Sequence, residues 1–240
     1  MKTICIIQAR MGSSRLPGKI LKPLEDVDVL TYDIERCRQI EGVNEVIVAT
    51  STLPQDDAIA DWCMSHNVKY FRGSEDDVLD RYVQCAKPYN PDYVMRVTSD
   101  CPFVDFEMAR EMVKLMQKEK KDIVLLEGVP PRGLVVEMIS FQALLKIHEI
   151  GKEPRHREHV TYYAYEYSDQ FETVTYQIPD NRLESELRIT LDTEEDYELI
   201  KAVAEHFKNP LVSSVEVIEY LKEHPEIANI NAHIEQKPVI

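Results

Sequence analysis

The first half of the chain alternates between short apolar runs and longer amphipathic stretches. The runs are rich in β-branched residues and span residues 4–7, 45–50, 68–71, 93–98 and 123–126. Runs of this length and composition are typical of strands buried on both faces. The pattern therefore predicts five core strands in the first 130 residues or so.

Between these runs, apolar residues recur every three or four positions, which is the spacing of one face of a helix. They predict four helices, with core faces Leu30, Ile34 and Cys37; Ile59, Trp62, Cys63 and His66; Val78, Leu79, Tyr82 and Cys85; and Met108, Met112 and Leu115. We expect the Asp56 carboxylate to cap the second of these helices. Strands that alternate with helices indicate an α/β protein with a mostly parallel sheet.

From residue 129 the pattern becomes a mixture of helical and extended segments. We expect a turn at 130–133, an extended piece at 134–139, helices at 141–147 and 157–167, and strands at 173–178 and 187–191. Two closing helices follow at 194–207 and 213–223, and a polar, loosely held tail begins at Pro225. We interpret residues 1–240 as a single domain and residues 129–186 as a mixed α+β, tyrosine-rich insertion that builds an acceptor site and a subunit contact.

Composition narrows the choice of partners. The net charge is −15 and the pI is near 4.9, which argues against a nucleic-acid or anionic-membrane surface. No apolar run approaches the roughly 20 residues that span a bilayer. The five cysteines are widely spaced and form no C-x-x-C motif. Together with a start that leads directly into a strand, they predict a reducing, cytoplasmic location.

A polar loop follows the first apolar run, with the sequence Gln-Ala-Arg-Met-Gly-Ser-Ser-Arg-Leu-Pro-Gly-Lys at residues 8–19. It places Arg10, Arg15 and Lys19 together with two glycines and two serines at one end of the predicted sheet. Backbone N–H groups, hydroxyls and cations are what a triphosphate requires. The glycine spacing fits neither the Walker loop nor the Rossmann fingerprint. The alternative is a basic, solvated turn.

Polar residues also follow the other predicted strands, at the sheet end where α/β proteins bind ligands. Ser99 and Asp100 come after the fourth strand, and Asp192 comes after the strand predicted at 187–191. Mg²⁺ is usually held by one or two carboxylates together with phosphate oxygens, and both aspartates could serve. The structural alternatives are a turn aspartate at Asp100 and a helix cap at Asp192 or Thr193.

The ordered set Arg10, Gly12, Ser13, Arg15, Pro17 and Lys19, directly after a first strand, resembles the N-terminal signature of bacterial cytidylyltransferases. The nearest branch is the spore-coat-polysaccharide-biosynthesis-F type, related to CMP-sialic acid and CMP-Kdo synthetases. The segments around Asp100 and Asp192 are similar to further motifs of this family. The resemblance implies a three-layer, glycosyltransferase-A-like fold of the nucleotide-diphospho-sugar transferases, with a mostly parallel sheet and a mixed α+β insertion.

The resemblance also implies roles for individual residues. It makes Arg10, Lys19, Asp100 and Asp192 catalytic and makes Asp100 and Asp192 the Mg²⁺ ligands. The implied nucleotide-binding residues are Ala9, Arg10, Met11, Gly12, Ser13, Ser14, Arg15, Lys19, Thr50, Ser51 and Ser99. The implied acceptor-binding residues are Arg132, Gly133, Glu137, Arg157 and His159. Asp77 and Arg81 lie in another segment similar to a family block; we interpret them as a helical acid–base pair with a structural role, the alternative being that they border the nucleotide or the acceptor.

The function implied is Mg²⁺-dependent transfer of CMP from CTP to a sugar acid or related surface-polysaccharide precursor, with release of pyrophosphate, by a homodimer. One alternative is a glycosyltransferase of the same fold, although no Asp-x-Asp motif follows the fourth strand. Another is a catalytically silent nucleotide-binding subunit. Residues alone leave open the acceptor, the choice of CTP over another nucleotide, and the number of metal ions.

Overall fold

The computed structural model describes residues 1–235, which form a seven-stranded mixed sheet and a separate two-stranded ribbon. In chain order the strands are β1 (Thr3–Gln8), β2 (Pro23–Leu24), β3 (Val27–Asp28), β4 (Val43–Ser51), β5 (Lys69–Gly73), β6 (Tyr93–Thr98), β7 (Ile123–Glu127), β8 (Glu137–Ser140) and β9 (Thr173–Gln177). The five strands predicted in the first half are all present, and β2 and β3 form the ribbon.

Helices alternate with these strands through the first half and dominate the end of the chain. They are α1 (Val29–Arg38), α2 (Asp57–Ser65), α3 (Val78–Ala86), α4 (Phe106–Glu119), α5 (Phe141–Ile150), α6 (Pro154–Glu158), α7 (Tyr162–Glu166), α8 (Glu194–Phe207), α9 (Ser214–Glu223) and α10 (Pro225–Ala228). Among them, α1, α8 and α9 begin with a side chain that caps the backbone, from Asp28, Thr193 and Ser213.

The sheet has the order β5-β4-β1-β6-β8-β7-β9. Neighbours β5, β4, β1 and β6 are parallel, and so are β7 and β9, whereas β8 runs antiparallel to both of its neighbours. The predicted mostly parallel α/β sheet is confirmed. Because β1 and β6 pair in register, with Gln8 opposite Thr98, the segments that follow them leave the sheet side by side.

Helices cover both faces of the sheet, which makes three layers. On β1, Cys5 and Ile7 face one side, where they pack with buried residues of α1, α2 and α4. Ile4 and Ile6 face the other side and pack with α3, α5 and α7. This alternation is the period of two expected of a strand buried on both faces. A third apolar cluster joins α8 and α9 to the β2–β3 ribbon and α1.

Four local predictions differ from the structure. The segment 187–191 is not a ladder strand, because it makes one isolated bridge, between Arg188 and Arg132. The helix predicted at 157–167 is two short helices, α6 and α7, separated near Val160, whose φ is +50°. The predicted loose tail is packed as far as residue 235: Asn231 is buried there, and Ile230 contacts the third cluster. Residues 236–240 of that tail lie outside the described residues.

The fourth difference concerns Asp56, which does not cap α2 with its side chain. Its carboxylate turns away from the helix and toward the polar loop after β1. The predicted burial of Cys5, Cys37, Cys63 and Cys85 is confirmed, and all five cysteines are free thiols. Among residues 1–235, no helix is both long and apolar enough to cross a membrane.

Candidate active site

A cleft of about 530 Å³ opens at the carboxyl ends of β1 and β6. Its lining comes from the loop after β1, the ends of β1 and β6, α3, the end of α6 and the segment before α8. The residues are Gln8, Ala9, Arg10, Gly12, Ser13, Ser14, Arg15, Lys19, Val78, Arg81, Thr98, Ser99, Asp100, Glu158, His159 and Asp192. The polar residues that the sequence places at strand ends after β1 and β6 therefore share one cleft.

The loop after β1 is folded around the backbone of Met11. The Met11 carbonyl accepts hydrogen bonds from the backbone N–H groups of Ser13 (2.9 Å) and Gly18 (3.1 Å). Gly18 has a φ of +69°, a conformation that favours glycine, and Lys19 follows at once in a short 3₁₀ turn. The fold of this loop therefore sets the position from which the Lys19 side chain enters the cleft.

Asp56 holds this loop against the end of β4. Its Oδ1 accepts the N–H of Met11 at 2.7 Å, and its Oδ2 accepts the Ser51 hydroxyl at 2.5 Å. The Asp56 residue is fully buried, so these bonds replace water for its carboxylate. The sequence alone does not reveal this role, because an aspartate next to a helix start is ordinarily a cap.

Lys19 lies in a cage of three oxygens. Its Nζ donates to Asp100 Oδ2 at 3.1 Å, to Asp192 Oδ1 at 2.9 Å and to the carbonyl of Leu191 at 2.6 Å. Burial disfavours the charged ammonium, but the carboxylates of Asp100 and Asp192 outweigh it and raise the pKa of Lys19 above its ordinary value. Lys19 is therefore a partly buried, fully charged cation in this cleft.

Asp192 is held in place by further cations and by a buried acid. Arg15 lies 3.1 Å from its Oδ2, and Arg188 donates to the same atom at 2.9 Å. Burial alone would raise the pKa of Asp192, but Lys19, Arg15 and Arg188 lower it below the usual value. The fully buried Asp196 accepts bonds from Arg188, from the backbone N–H of Asp192 and from the Asn231 amide. The predicted capping of α8 by Thr193 is also confirmed.

The Lys19 cage tests whether a metal ion suits this site. Carboxylates of Asp100 and Asp192 converge on one point with a backbone carbonyl, an all-oxygen set that suits a hard divalent cation. Residues 1–235 contain no group of three or more histidine, cysteine or acidic side chains arranged to hold a metal. An ion here would therefore need further oxygen ligands from water or phosphate. With such ligands, the residues present fit Mg²⁺.

On α3, the structure places Arg81 in the cleft wall and not in the helical surface pair favoured from the sequence. Arg81 is nearly fully buried, lines the cleft and donates from Nη1 to the carbonyl of Ser74. Its predicted pairing with Asp77 is wrong, since Asp77 instead caps α3 and pairs with Arg157. A helical i, i+4 acid–base spacing cannot reveal this, because burial is decided by what packs on the helix.

Thr50 and Ser51 lie behind the cleft wall and do not line it. Both are fully buried, and Ser51 is bonded to Asp56. Met11 is likewise outside the lining. Of the residues predicted to bind nucleotide, Ala9, Arg10, Gly12, Ser13, Ser14, Arg15, Lys19 and Ser99 do line the cleft.

The side of the cleft toward β8 is built from a polar chain of side chains. Glu137 on β8 bonds the Thr161 hydroxyl and pairs with Arg96 at 2.8 Å. Arg96 in turn donates from Nε to Gln8 Oε1 at 3.2 Å. Gln8 and His159 then face the cleft. Burial, aided by Arg96, lowers the pKa of His159 below its ordinary value, so its ring is neutral near pH 7.

Of the five predicted acceptor-binding residues, His159 lines the cleft and the other four lie outside its lining. Glu137 lies behind Gln8, and Arg157 is engaged by Asp77 and the carbonyl of His148. Arg132 and Gly133 form the backbone contact with segment 187–191, in which Ile189 N–H donates to the Arg132 carbonyl at 2.8 Å.

A mostly parallel sheet, with a cationic loop after β1 whose Lys19 meets Asp100 and Asp192, is the architecture of a nucleotidyltransferase. The cytidylyltransferase family model matches residues 4–233, and the chain belongs to this family.

Relatives agree with this assignment. Spore coat polysaccharide biosynthesis protein SpsF of Bacillus subtilis is 34% identical over 93% of this chain and 95% of its own length. A solved cytidylyltransferase structure from Leptospira borgpetersenii superposes with a TM-score of 0.89 at 33% identity, over 99% of this chain and 100% of that one. A solved CMP:2-keto-3-deoxy-manno-octonic acid synthetase in complex with CTP has a TM-score of 0.66 at 17% identity, over 86% of this chain and 99% of that one, and shows the fold alone.

Proposed function

We propose that this enzyme transfers CMP from CTP to a sugar acid or related precursor of a surface polysaccharide, with Mg²⁺, and releases pyrophosphate. The observation that carries the proposal is the meeting of Lys19 with Asp100 and Asp192 beneath the cationic loop. The names of the relatives support the cytidine nucleotide, and the SpsF name supports a role in making a polysaccharide. We also keep the homodimer and the cytoplasmic location as predictions.

The cations of the cleft suit the triphosphate part of the nucleotide. Arg10, Arg15 and Lys19 come from one loop, and they line the cleft together with Gly12, Ser13 and Ser14 of the same loop. Arginine forks grip phosphate oxygens in pairs, while an ammonium acts as a point charge. We infer that these groups stabilise the charge that accumulates on the departing pyrophosphate.

Asp100 and Asp192 are the groups that would hold Mg²⁺. The ion would supply charge neutralisation at the α-phosphate and acidify the attacking hydroxyl. The chain itself orients both carboxylates, through Lys19 at both, and through Arg15 and Arg188 at Asp192. Little covalent work falls to the protein in such a displacement, so positioning and charge carry the catalysis.

The acceptor would bind on the side of the cleft toward β8. Gln8, Thr98, Glu158 and the neutral His159 lie there, and they offer hydrogen-bond donors and acceptors. Neither of the two arginines predicted to bind the acceptor, Arg132 and Arg157, lines the cleft. We therefore infer that this side of the cleft recognises the acceptor by directed hydrogen bonds, and that the anionic group of a sugar acid depends on the cations of the loop after β1.

The proposal is tested by pyrophosphate release from CTP and Mg²⁺ with a set of sugar acids, including Kdo and sialic acid, offered one at a time. We expect release with CTP and at least one acid, and release that stops when the metal is chelated. Release from UTP, ATP or GTP in preference to CTP would contradict the cytidylyltransferase assignment. A parallel reaction with the Asp192→Asn variant controls for contaminating activity.

A further inference from the structure

The Lys19 ammonium occupies the point on which the candidate metal ligands converge. Three oxygens surround its Nζ within 3.1 Å, two of them carboxylate oxygens of Asp100 and Asp192 and one the carbonyl of Leu191. A divalent ion bound by the same oxygens would stand at about 2.0–2.6 Å from each. The ion and the ammonium would therefore compete for one small space, where two cations repel strongly.

The structure also provides a way for Lys19 to leave this space. Its side chain is 11% exposed and lines the cleft, so the side chain already borders the open volume. The flexible four-carbon stem allows the ammonium to swing while the 3₁₀ turn at its backbone stays in place. A phosphate group in the cleft would attract it, as it would attract the neighbouring Arg10 and Arg15.

The other partners of Asp192 do not depend on Lys19. Arg188 still bonds Oδ2, and Asp196 still holds the Asp192 backbone N–H at 2.8 Å. The Leu191 N–H donates to the Asp100 carbonyl at 2.8 Å, which ties the two ligand segments together. The cage thus has the framework to keep its shape when its cation is exchanged.

We propose that Lys19 is a resident counter-ion that closes the metal site of the free enzyme, and that a triphosphate opens the site by drawing the ammonium away. The divalent ion and the nucleotide then bind synergistically, and the Leu191 carbonyl becomes a ligand beside Asp100 and Asp192. The nucleotide part of this proposal rests on the proposed function, whereas the competition between Lys19 and the metal does not.

A pair of lysine variants separates the competition from a general loss of charge. Lys19→Gln keeps a hydrogen-bond donor and removes the cation, and Lys19→Met removes both. Lys22→Met is the matched control: Lys22 lies three residues along the chain, pairs with Glu194 at 3.1 Å and, among residues 1–235, makes no hydrogen bond or ion pair with Asp100 or Asp192. All three variants lose one positive charge close to the cleft.

The first measurement is titration of the nucleotide-free proteins with Mn²⁺, with the free ion followed by electron paramagnetic resonance. We expect Lys19→Gln and Lys19→Met to bind one Mn²⁺ at least about tenfold more tightly than the wild type, because an opposing charge has gone. Lys22→Met should match the wild type. Adding Asp192→Asn to Lys19→Gln should abolish the tight site, which places the ion at the cage.

The second measurement repeats the titration with α,β-methylene-CTP, a nucleotide that cannot transfer CMP. The wild type should gain at least about tenfold in Mn²⁺ affinity, and Lys19→Gln should gain clearly less, because its site is already open. Equal Mn²⁺ affinity of wild type and both Lys19 variants without nucleotide, at unchanged melting temperature, would overturn the proposal. If no nucleotide binds but the Lys19 variants still bind Mn²⁺ more tightly, the proposed function fails and the competition stands.

Discussion

Lys19 and Asp192 are 173 positions apart in the chain, and their side chains are joined at 2.9 Å. Lys19 belongs to the loop after the first strand, and Asp192 immediately precedes the cap of α8. The candidate site is therefore assembled from the two ends of the chain, around Asp100 from its middle. Packing of α8 and α9 against the β2–β3 ribbon and α1 secures this closure.

The Asp100 and Asp192 carboxylates should be essential for turnover and dispensable for folding. We expect Asp100→Asn and Asp192→Asn each to lower kcat by about 10²–10³ or more, since each removes a carboxylate that would hold Mg²⁺ at the reacting phosphate. Steady-state pyrophosphate release is the measurement, with the melting temperature as the folding control. Turnover within a factor of two of the wild type in either variant would remove that residue from the catalytic set.

Gln8 should contribute to acceptor binding and not to CTP binding. Its Oε1 is engaged by Arg96, and its Nε2 has no hydrogen-bond partner among residues 1–235, so the Nε2 donor is available to a ligand. Loss of one such bond typically costs about 0.5–1.5 kcal/mol. With an acceptor found in the pyrophosphate screen, Gln8→Ala should raise the KM for that acceptor about 2–10-fold and leave the KM for CTP unaltered.

The matched control is Gln55→Ala, in the 3₁₀ turn before α2, which lies by Gly12 at the cation side of the cleft. It should leave the acceptor KM unchanged. A rise in the CTP KM alone in Gln8→Ala would place Gln8 in the nucleotide subsite instead.

Gly133 should be required for stability through one close backbone approach. Its φ is +97°, and a Cβ there would collide with the carbonyl oxygen of Ile189 in the segment that leads to Asp192. We expect Gly133→Ala to destabilise the fold by about 2–4 kcal/mol, measured by chemical denaturation. Gly12→Ala is the comparison, because its φ is ordinary and its Cβ would meet only the movable end of Gln55 within 3.5 Å. Equal stability of the two alanine variants would contradict this account.

Asp33 on α1 should make the fold less stable as the pH rises. The residue is fully buried, neither of its carboxyl oxygens has a hydrogen-bond partner among residues 1–235, and burial raises its pKa well above the usual value. The folded protein therefore keeps a proton on Asp33 that the unfolded chain loses near pH 4. Above that pH the unfolded state binds fewer protons, so this group lowers the free energy of unfolding until the folded pKa is reached.

Asp33→Asn removes this titration. Relative to the wild type, the variant should gain stability between pH 4 and pH 7, by about 1.4 kcal/mol for each unit of pKa shift. Denaturation at both pH values measures the difference. Glu35→Gln is the control, since Glu35 lies on the same helix, is paired with Arg38 at the surface and should show no such gain. If the free energies of unfolding of Asp33→Asn and the wild type differ by the same amount at both pH values, Asp33 is not a buried acid that stays protonated in the folded protein.

Much of the sheet could be predicted because its strands carry their own signal. The strands β1, β4 and β6 are short apolar runs between helical stretches, and each ends in polar residues that the parallel arrangement brings to one edge. This arrangement brings the loop after β1 and Asp100 to the same edge, whereas Asp192 follows a segment that makes only one isolated bridge. Local pattern and topology agree for these strands, which is why the predicted sheet is confirmed.

The rest of the site depends on side-chain contacts that the linear pattern does not contain. Asp56 has the position of a helix cap and is used instead to hold Met11, and Arg81 has the spacing of a surface pair and lies in the cleft. The direction of β8 and the single bridge at Arg188 are set by neighbouring segments and not by propensity. Tertiary packing sets these contacts. The same packing leaves His159 in the cleft lining and the other four predicted acceptor residues outside it.

The central claim is that this cleft binds CTP together with a divalent ion, and melting temperatures test it most directly. Wild type would be measured with CTP, UTP, ATP and GTP, each with Mg²⁺ and with a chelator, beside the Asp192→Asn variant. We predict a rise of several degrees with CTP and Mg²⁺, a much smaller rise with the chelator or the variant, and little change with the other nucleotides. An equal rise with all four nucleotides, or a rise with CTP that ignores both the metal and Asp192, would contradict the account.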